Sequence, residues 1–168
     1  MRKHPVILLL AMALFIFGAI QVWAAAEAAT AKEVKAKCEE AAKLLSEKGE
    51  AALAEFNEKG KWNWKDSYVF VYDMEGKVLG HPIMPHLRNK SGLGLKDAKG
   101  KLIGVDFLAI AKSPKGHGWT QYYWPAPGAQ KPTLKVCYIL KVPGKNMFVG
   151  AGTHNIASAE VATKEAGD

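Results

Sequence analysis

Lys135 sits in a mostly apolar run over residues 133–142, where a cation is costly unless it reaches water or meets a partner. Given a partner it would bind an anion; at a strand edge it would be solvated, and spacing alone leans toward the edge. Tyr122 and Trp124 fall on one face of a neighbouring run by period two, so both can present a donor above an aromatic wall or serve as ordinary core. Tyr68 and Tyr72 share a face in the same way on an earlier run. His81 beside Pro82, His86 and Arg88 are further candidate donors, although a lone histidine is more often structural and a loop arginine more often faces water.

Catalysis fits these residues less well. Hydrolysis needs a nucleophile beside a base, yet Ser67, Ser91 and Ser113 lie in no recognisable motif and no Gly-x-Ser-x-Gly is present. Acid chemistry would fall to Asp97 and Asp106, the acids of the central part outside a hairpin turn. His81, His86, His117 and His154 are not at metal-ligand spacing, and neither cysteine has a second Cys or His at such a distance. The expectation is a non-enzyme with no metal and no cofactor. Cys38 and Cys137, far apart in sequence, read as a long-range disulfide or as two buried thiols.

The elements that must position these side chains follow from periodicity. Residues 30–58 are rich in Ala, Glu, Lys and Leu, and Val34, Cys38, Ala41, Leu45, Ala52 and Phe56 recur at helical steps, predicting one long helix or two meeting near Gly49. Thr30 and Glu33 have the form of a capping box at its start. Residues 68–72 alternate Tyr, Phe and Tyr against Val and Val, so both faces are apolar and the strand should be central. A turn at 73–76 leads to a second strand at 77–81, giving a hairpin. Residues 82–101 carry several Pro and Gly and form a long loop, followed by a short helix at 105–112. Strands at 119–124, 133–142 and 146–152 make an antiparallel meander, and the tail from 156 to 168 reads as flexible. The order is that of an α+β, PAS-like domain of about five strands, over residues 30–155.

With these elements in place the chain resembles the single Cache domain of extracytoplasmic bacterial sensors over residues 32–153. The hairpin Tyr68, Val69, Phe70, Val71, Tyr72, Asp73, Met74, Glu75, Gly76 carries the likeness, with the step Leu79, Gly80, His81, Pro82 after it. So do Leu95, Lys96, Asp97, Gly100 and Lys101, then Gly116, His117, Gly118 before Tyr122, Tyr123, Trp124, Pro125, Ala126, Pro127, and finally Lys135 to Tyr138. The likeness implies a pocket between the sheet and the loop at 82–101 that holds a small organic acid such as pyruvate, lactate, acetate or propionate, without covalent chemistry. It also implies a homodimer through the amino-terminal helix. Asn89 stands where the family usually has Gly, and Ser91 where it usually has Asn. By alternation Lys135 and Cys137 point the same way, so a disulfide from Cys137 to the helix at Cys38 would turn Lys135 from a pocket on the opposite face, unless a bulge intervenes.

Arg2 and Lys3 precede an apolar run over residues 6–22 and the small residues at 24–26, the layout of a signal peptide cleaved after Ala24; an uncleaved anchor is the alternative. Cleavage removes those two cations, so the formal charge falls from +7 to +5. Lysines interleaved with Glu describe a solvated surface, not a nucleic-acid interface. The expected location is periplasmic or secreted. No receptor-type segment follows Gly152, so a signal would pass to a separate membrane receptor, or the protein would carry its ligand; the alternative is an interaction or scaffold protein with a vestigial pocket that acts with a membrane receptor, and a small hydrolase comes after it.

Overall fold

A computed structural model describes residues 27–168. The expected signal peptide at 1–24 lies outside the described residues. Helix α1 (Ala31–Lys48) begins at the predicted capping box: Thr30 Oγ1 accepts from the Glu33 N–H and the Glu33 carboxylate accepts from the Thr30 N–H at 2.8 Å. Gly49, at φ 59°, ends it where a side chain would be strained, and the chain continues as a 3-10 helix (Gly49–Asn57).

The sheet contains β1 (Asn63–Trp64), β2 (Ser67–Asp73), β3 (Val78–Gly80), β4 (His117–Pro125), β5 (Pro132–Lys141) and β6 (Met147–Thr153). Its order is β1-β2-β6-β5-β4, with β3 also paired to β2, and every pairing is antiparallel. The strand at 68–72 therefore has neighbours on both sides, and the three final strands form the expected meander. β1 was not legible, because two residues carry no period.

Alternation divides the sheet into two layers. Val69, Val71, Tyr138, Val149 and Ala151 pack with Val34, Cys38, Ala41 and Leu45 of α1. On the other face Tyr68, Phe70, Tyr72, Cys137, Ile139 and Phe148 meet Ile103, Phe107 and Ala111 of the short helix α2 (Ile103–Lys112). Both layers bury their apolar groups almost completely.

Two expectations need correction. Cys38 and Cys137 are free, buried thiols, Cys38 in the α1 layer and Cys137 in the opposite layer, so the sheet separates them. The chain after 155 is not a frayed tail. Ser158 caps helix α3 (Ala159–Ala166), whose Ala162 is fully buried, and Asp168 beyond it meets Lys35 of α1 at 2.7 Å. Its apolar content, Val161 and Ala162 with Ile156 before it, is too small to show a helical period, yet it suffices to cover the edge near Ala31 and Val136.

Candidate ligand-binding site

The cavity-side layer is aromatic because each strand contributes alternate residues to it. A narrow internal cavity is lined by Tyr68, Phe70 and Tyr72 of β2, His81, Leu87 and Leu95 of the loop, Ile103 and Phe107 of α2, and Tyr122 and Trp124 of β4. Its volume of about 10 Å³ is room for roughly one water. A two-carbon acid would have to part these side chains to enter. Phe107 packs on Phe70 and Tyr122 at centroid separations of 5.3 Å in both cases, so the walls are in contact across the space.

Lys135 lies at the floor of this layer. It is fully buried, its Nζ has no hydrogen-bond partner, and the ammonium sits 3.8 Å from the centroid of the Tyr68 ring. A cation–π contact compensates such a group only in part, at about 2 kcal/mol when desolvated, against a burial cost of several kcal/mol for an unpaired ion. Lys135 pairs in register with Tyr122 on β4, and Gly152 on β6 leaves a bare strip for its stem. A Cβ at Gly152 would lie 3.0 Å from Lys135 Cε and 2.5 Å from the Val136 carbonyl oxygen; one at Gly150 would collide with Phe70. The alternate glycines of β6 thus let side chains from β5 and β2 lie flat across it. Because no disulfide draws Cys137 toward α1, Lys135 faces the cavity layer without a bulge in β5.

His81 is buried, stacked with Phe70 and tilted against Tyr68. Its Nδ1 is 3.0 Å from the Met84 backbone N–H, which makes Nδ1 the acceptor and leaves Nε2–H as the donor. Burial, then the positive charge of Lys135 and of Arg88, pushes its pKa from 6.5 down to about 3. It is therefore a neutral donor across the physiological range. Tyr122 and Tyr72 are pushed above the ordinary phenol value by burial, so both remain protonated hydroxyls.

Of the eight candidate residues, Tyr68, Tyr72, His81, Tyr122 and Trp124 line the cavity and Lys135 lies against it. His86 and Arg88 are elsewhere. His86 is exposed in an outer cleft. Arg88 donates from Nε to the His81 carbonyl at 3.1 Å and from its terminal nitrogen to the Asn57 carbonyl, so it fastens the loop to the 3-10 helix instead of reaching a ligand. The two acids weighed for chemistry also hold structure. Burial raises the Asp97 pKa, but N–H groups of Tyr123, Lys101 and Lys99 outweigh it and hold the carboxylate below its ordinary range. Asp106 of α2 meets Thr120 Oγ1 and Lys101 Nζ, tying α2 to β4.

Phe70, Phe107, Leu87 and Leu95 also shape the cavity. Phe70 shares a face with Tyr68 and Tyr72 by alternation, and Leu95 lies in a block that bears the family likeness, but neither these nor Phe107 and Leu87 stood out as site residues. Asn89, at the position where Gly is usual, adopts φ 62°, a conformation that Asn tolerates better than most residues. Its N–H donates to the Val78 carbonyl at 2.8 Å and Val78 donates back to Lys90 at 2.9 Å, so this part of the loop runs beside β3.

A long helix on one face of an antiparallel sheet, with a loop and short helix enclosing polar groups on the other, defines a PAS-like sensor domain. The chain belongs to the Cache domain family, which matches it over residues 23–166. Curated relatives include the methyl-accepting chemotaxis protein McpP of Pseudomonas putida, 28% identical over 89 residues, covering 53% of this chain and 16% of the relative. The sensor histidine kinase MctS of Rhizobium johnstonii is 30% identical over 90 residues, covering 54% and 19%. The chain thus matches less than a fifth of the length of either relative. Among solved structures, a periplasmic sensor domain of a chemotaxis protein aligns with TM-score 0.59 at 24% identity, covering 73% of this chain and 90% of that one. A Cache chemosensory domain described for its carboxylic acid recognition gives 0.59 at 24%, covering 71% and 84%. A methyl-accepting chemotaxis protein of Vibrio parahaemolyticus gives 0.60 at 23%, covering 73% and 86%. Among the described residues no helix is long and apolar enough to cross a membrane.

Proposed function

We propose that this protein is a non-catalytic, extracytoplasmic sensor module that binds a short monocarboxylic acid, with Lys135 as the anion partner. The observation that carries the reading is the Lys135 ammonium, fully buried and without a hydrogen-bond partner beside an aromatic cavity. A carboxylate would supply the missing counter-charge. Nε2–H of His81 and the hydroxyls of Tyr68, Tyr72 and Tyr122 are the neutral donors that would share it, and Phe70, Phe107 and Ile103 form the wall for its carbon end. One cation among neutral donors suits one negative charge, because a second carboxylate would be buried unpaired. The carboxylic acid recognition described for a solved Cache domain supports the same class. The bound module would act with a membrane receptor, as the receptor and kinase relatives favour, or would carry its ligand.

The test is a thermal-shift and calorimetric screen with acetate, propionate, lactate and pyruvate. Stabilisation of about 2.7 kcal/mol is expected at a ligand concentration near one hundred times Kd. It should vanish in Lys135→Ala. Silence toward all four acids, or an unaltered response in that variant, overturns the reading.

A further inference from the structure

The internal cavity has a larger neighbour. An outer cleft of about 380 Å³ opens beside it, lined in part by Met84, His86, Lys96, Tyr123 and Pro132. Cavity and cleft share three lining residues, Leu87, Leu95 and Trp124. These side chains are the partition between a compartment that holds roughly one water and one large enough for a small metabolite. Each is only partly buried and packs at the margin of the aromatic layer.

The backbone beneath the partition is fixed. Leu87 donates its N–H to the Met84 carbonyl at 3.0 Å, Leu95 donates to Gly92 at 3.0 Å, and the Leu95 carbonyl accepts from Ile103 at 3.0 Å. Asp97 holds the following turn to β4 through the Tyr123 N–H at 2.9 Å. Opening therefore falls to side-chain rotation, while the loop stays in place. Rotation of a leucine about χ1 and χ2 joins the two spaces at little cost, since Leu87 and Leu95 already border the cleft.

We propose that Leu87, Leu95 and Trp124 form a side-chain gate through which ligand passes from the outer cleft to the internal site, and that the two leucines set the chain length admitted. The chain-length half rests on the carboxylate reading above; the gate itself does not. An acid of two or three carbons fits behind the closed leucines once the walls part. A longer one must thread its tail between them into the cleft, and the leucines oppose that.

Cys137 allows a test that needs no ligand. Its thiol lies in the cavity-side layer, whereas Cys38 lies across the sheet and serves as an internal control. The full chain and its Leu95→Ala and Leu87→Ala variants are treated with methyl methanethiosulfonate at pH 8.5, and labelling of each cysteine is followed by peptide mass spectrometry. The gate predicts Cys137 labelling accelerated about tenfold or more in Leu95→Ala, with Cys38 within about twofold of the parent. Unchanged Cys137 labelling overturns the gate, and so does equal acceleration of both thiols, which is loosening of the whole domain. In a second arm, Leu95→Ala should gain a thermal shift with valerate that the parent lacks. Its absence, in a parent that responds to acetate or propionate, removes the chain-length role. A parent that responds to no short acid removes both the carboxylate reading and the chain-length role, and leaves the gate decided by Cys137.

Discussion

Toward α1, Val69, Val71, Val149 and Ala151 meet Val34, Ala41 and Leu45 as small aliphatic surfaces with Phe56, Trp62 and Tyr138 beside them, while the opposite face of the same strands gathers three phenols, an imidazole and an unpaired ammonium around one cavity. Both faces are equally dry. The difference is in what dryness does: on one face it stabilises the fold, and on the other it leaves an ammonium without a hydrogen-bond partner among the described residues. Under the proposed function, the first face supplies the stability that the second gives up.

Substitutions can separate the two. The largest effect is expected on the aliphatic face, where Leu45→Ala should cost about 2–5 kcal/mol in urea unfolding while leaving acid affinity unchanged in the fraction that folds. Lys135→Met should move stability the other way, gaining about 1–3 kcal/mol in the ligand-free protein as the unpaired charge is removed, and should abolish the ligand-induced shift. If Lys135→Met instead destabilises, the ammonium is already compensated and the contrast between the faces fails. Gly152→Ala should cost about 1–3 kcal/mol, because its Cβ must displace the Val136 carbonyl and the Lys135 stem together. Calorimetry on this variant should also show weaker acid binding.

Acidification sharpens the comparison further. His81 titrates near 3 when folded against an ordinary 6.5, because burial and then Lys135 disfavour the imidazolium. The unfolded chain takes up the proton first, so this contribution is complete above about pH 6.5 and declines as pH falls toward 3. Roughly 1–2 kcal/mol should be lost between pH 6.5 and 5, seen as a lower urea midpoint, with a shallower loss in His81→Gln. His154, lowered to about 4 chiefly by burial, adds to the same limb and should persist in that variant. The smallest effect is expected at the helix cap, where Thr30→Ala should cost about 1 kcal/mol without touching ligand response.

The layers were legible because alternation is local. Tyr68 and Tyr72 against Val69 and Val71, and Lys135 with Cys137, share faces by spacing alone, and the capping box marked the start of α1. What alternation leaves open is which face meets which layer. That choice depended on Cys38, one hundred residues from the Tyr138 carbonyl that it approaches. The loop residues had no period to read, and the fate of Arg88 was decided by the Asn57 carbonyl, 31 positions earlier. Leu87 carried no signal, and Leu95 counted only within the block that bears the family likeness, since the meeting of two cavities is what gives both a place at the partition.

The thiols of Cys38 and Cys137 approach the same carbonyl, that of Tyr138, at 3.8 and 3.7 Å, from opposite sides of β5. Joining them would mean tearing a strand out of the middle of its ladder. Refolding with or without reducing agent is therefore expected to give the same yield, and a yield that depends on oxidant would contradict this placement of the two thiols.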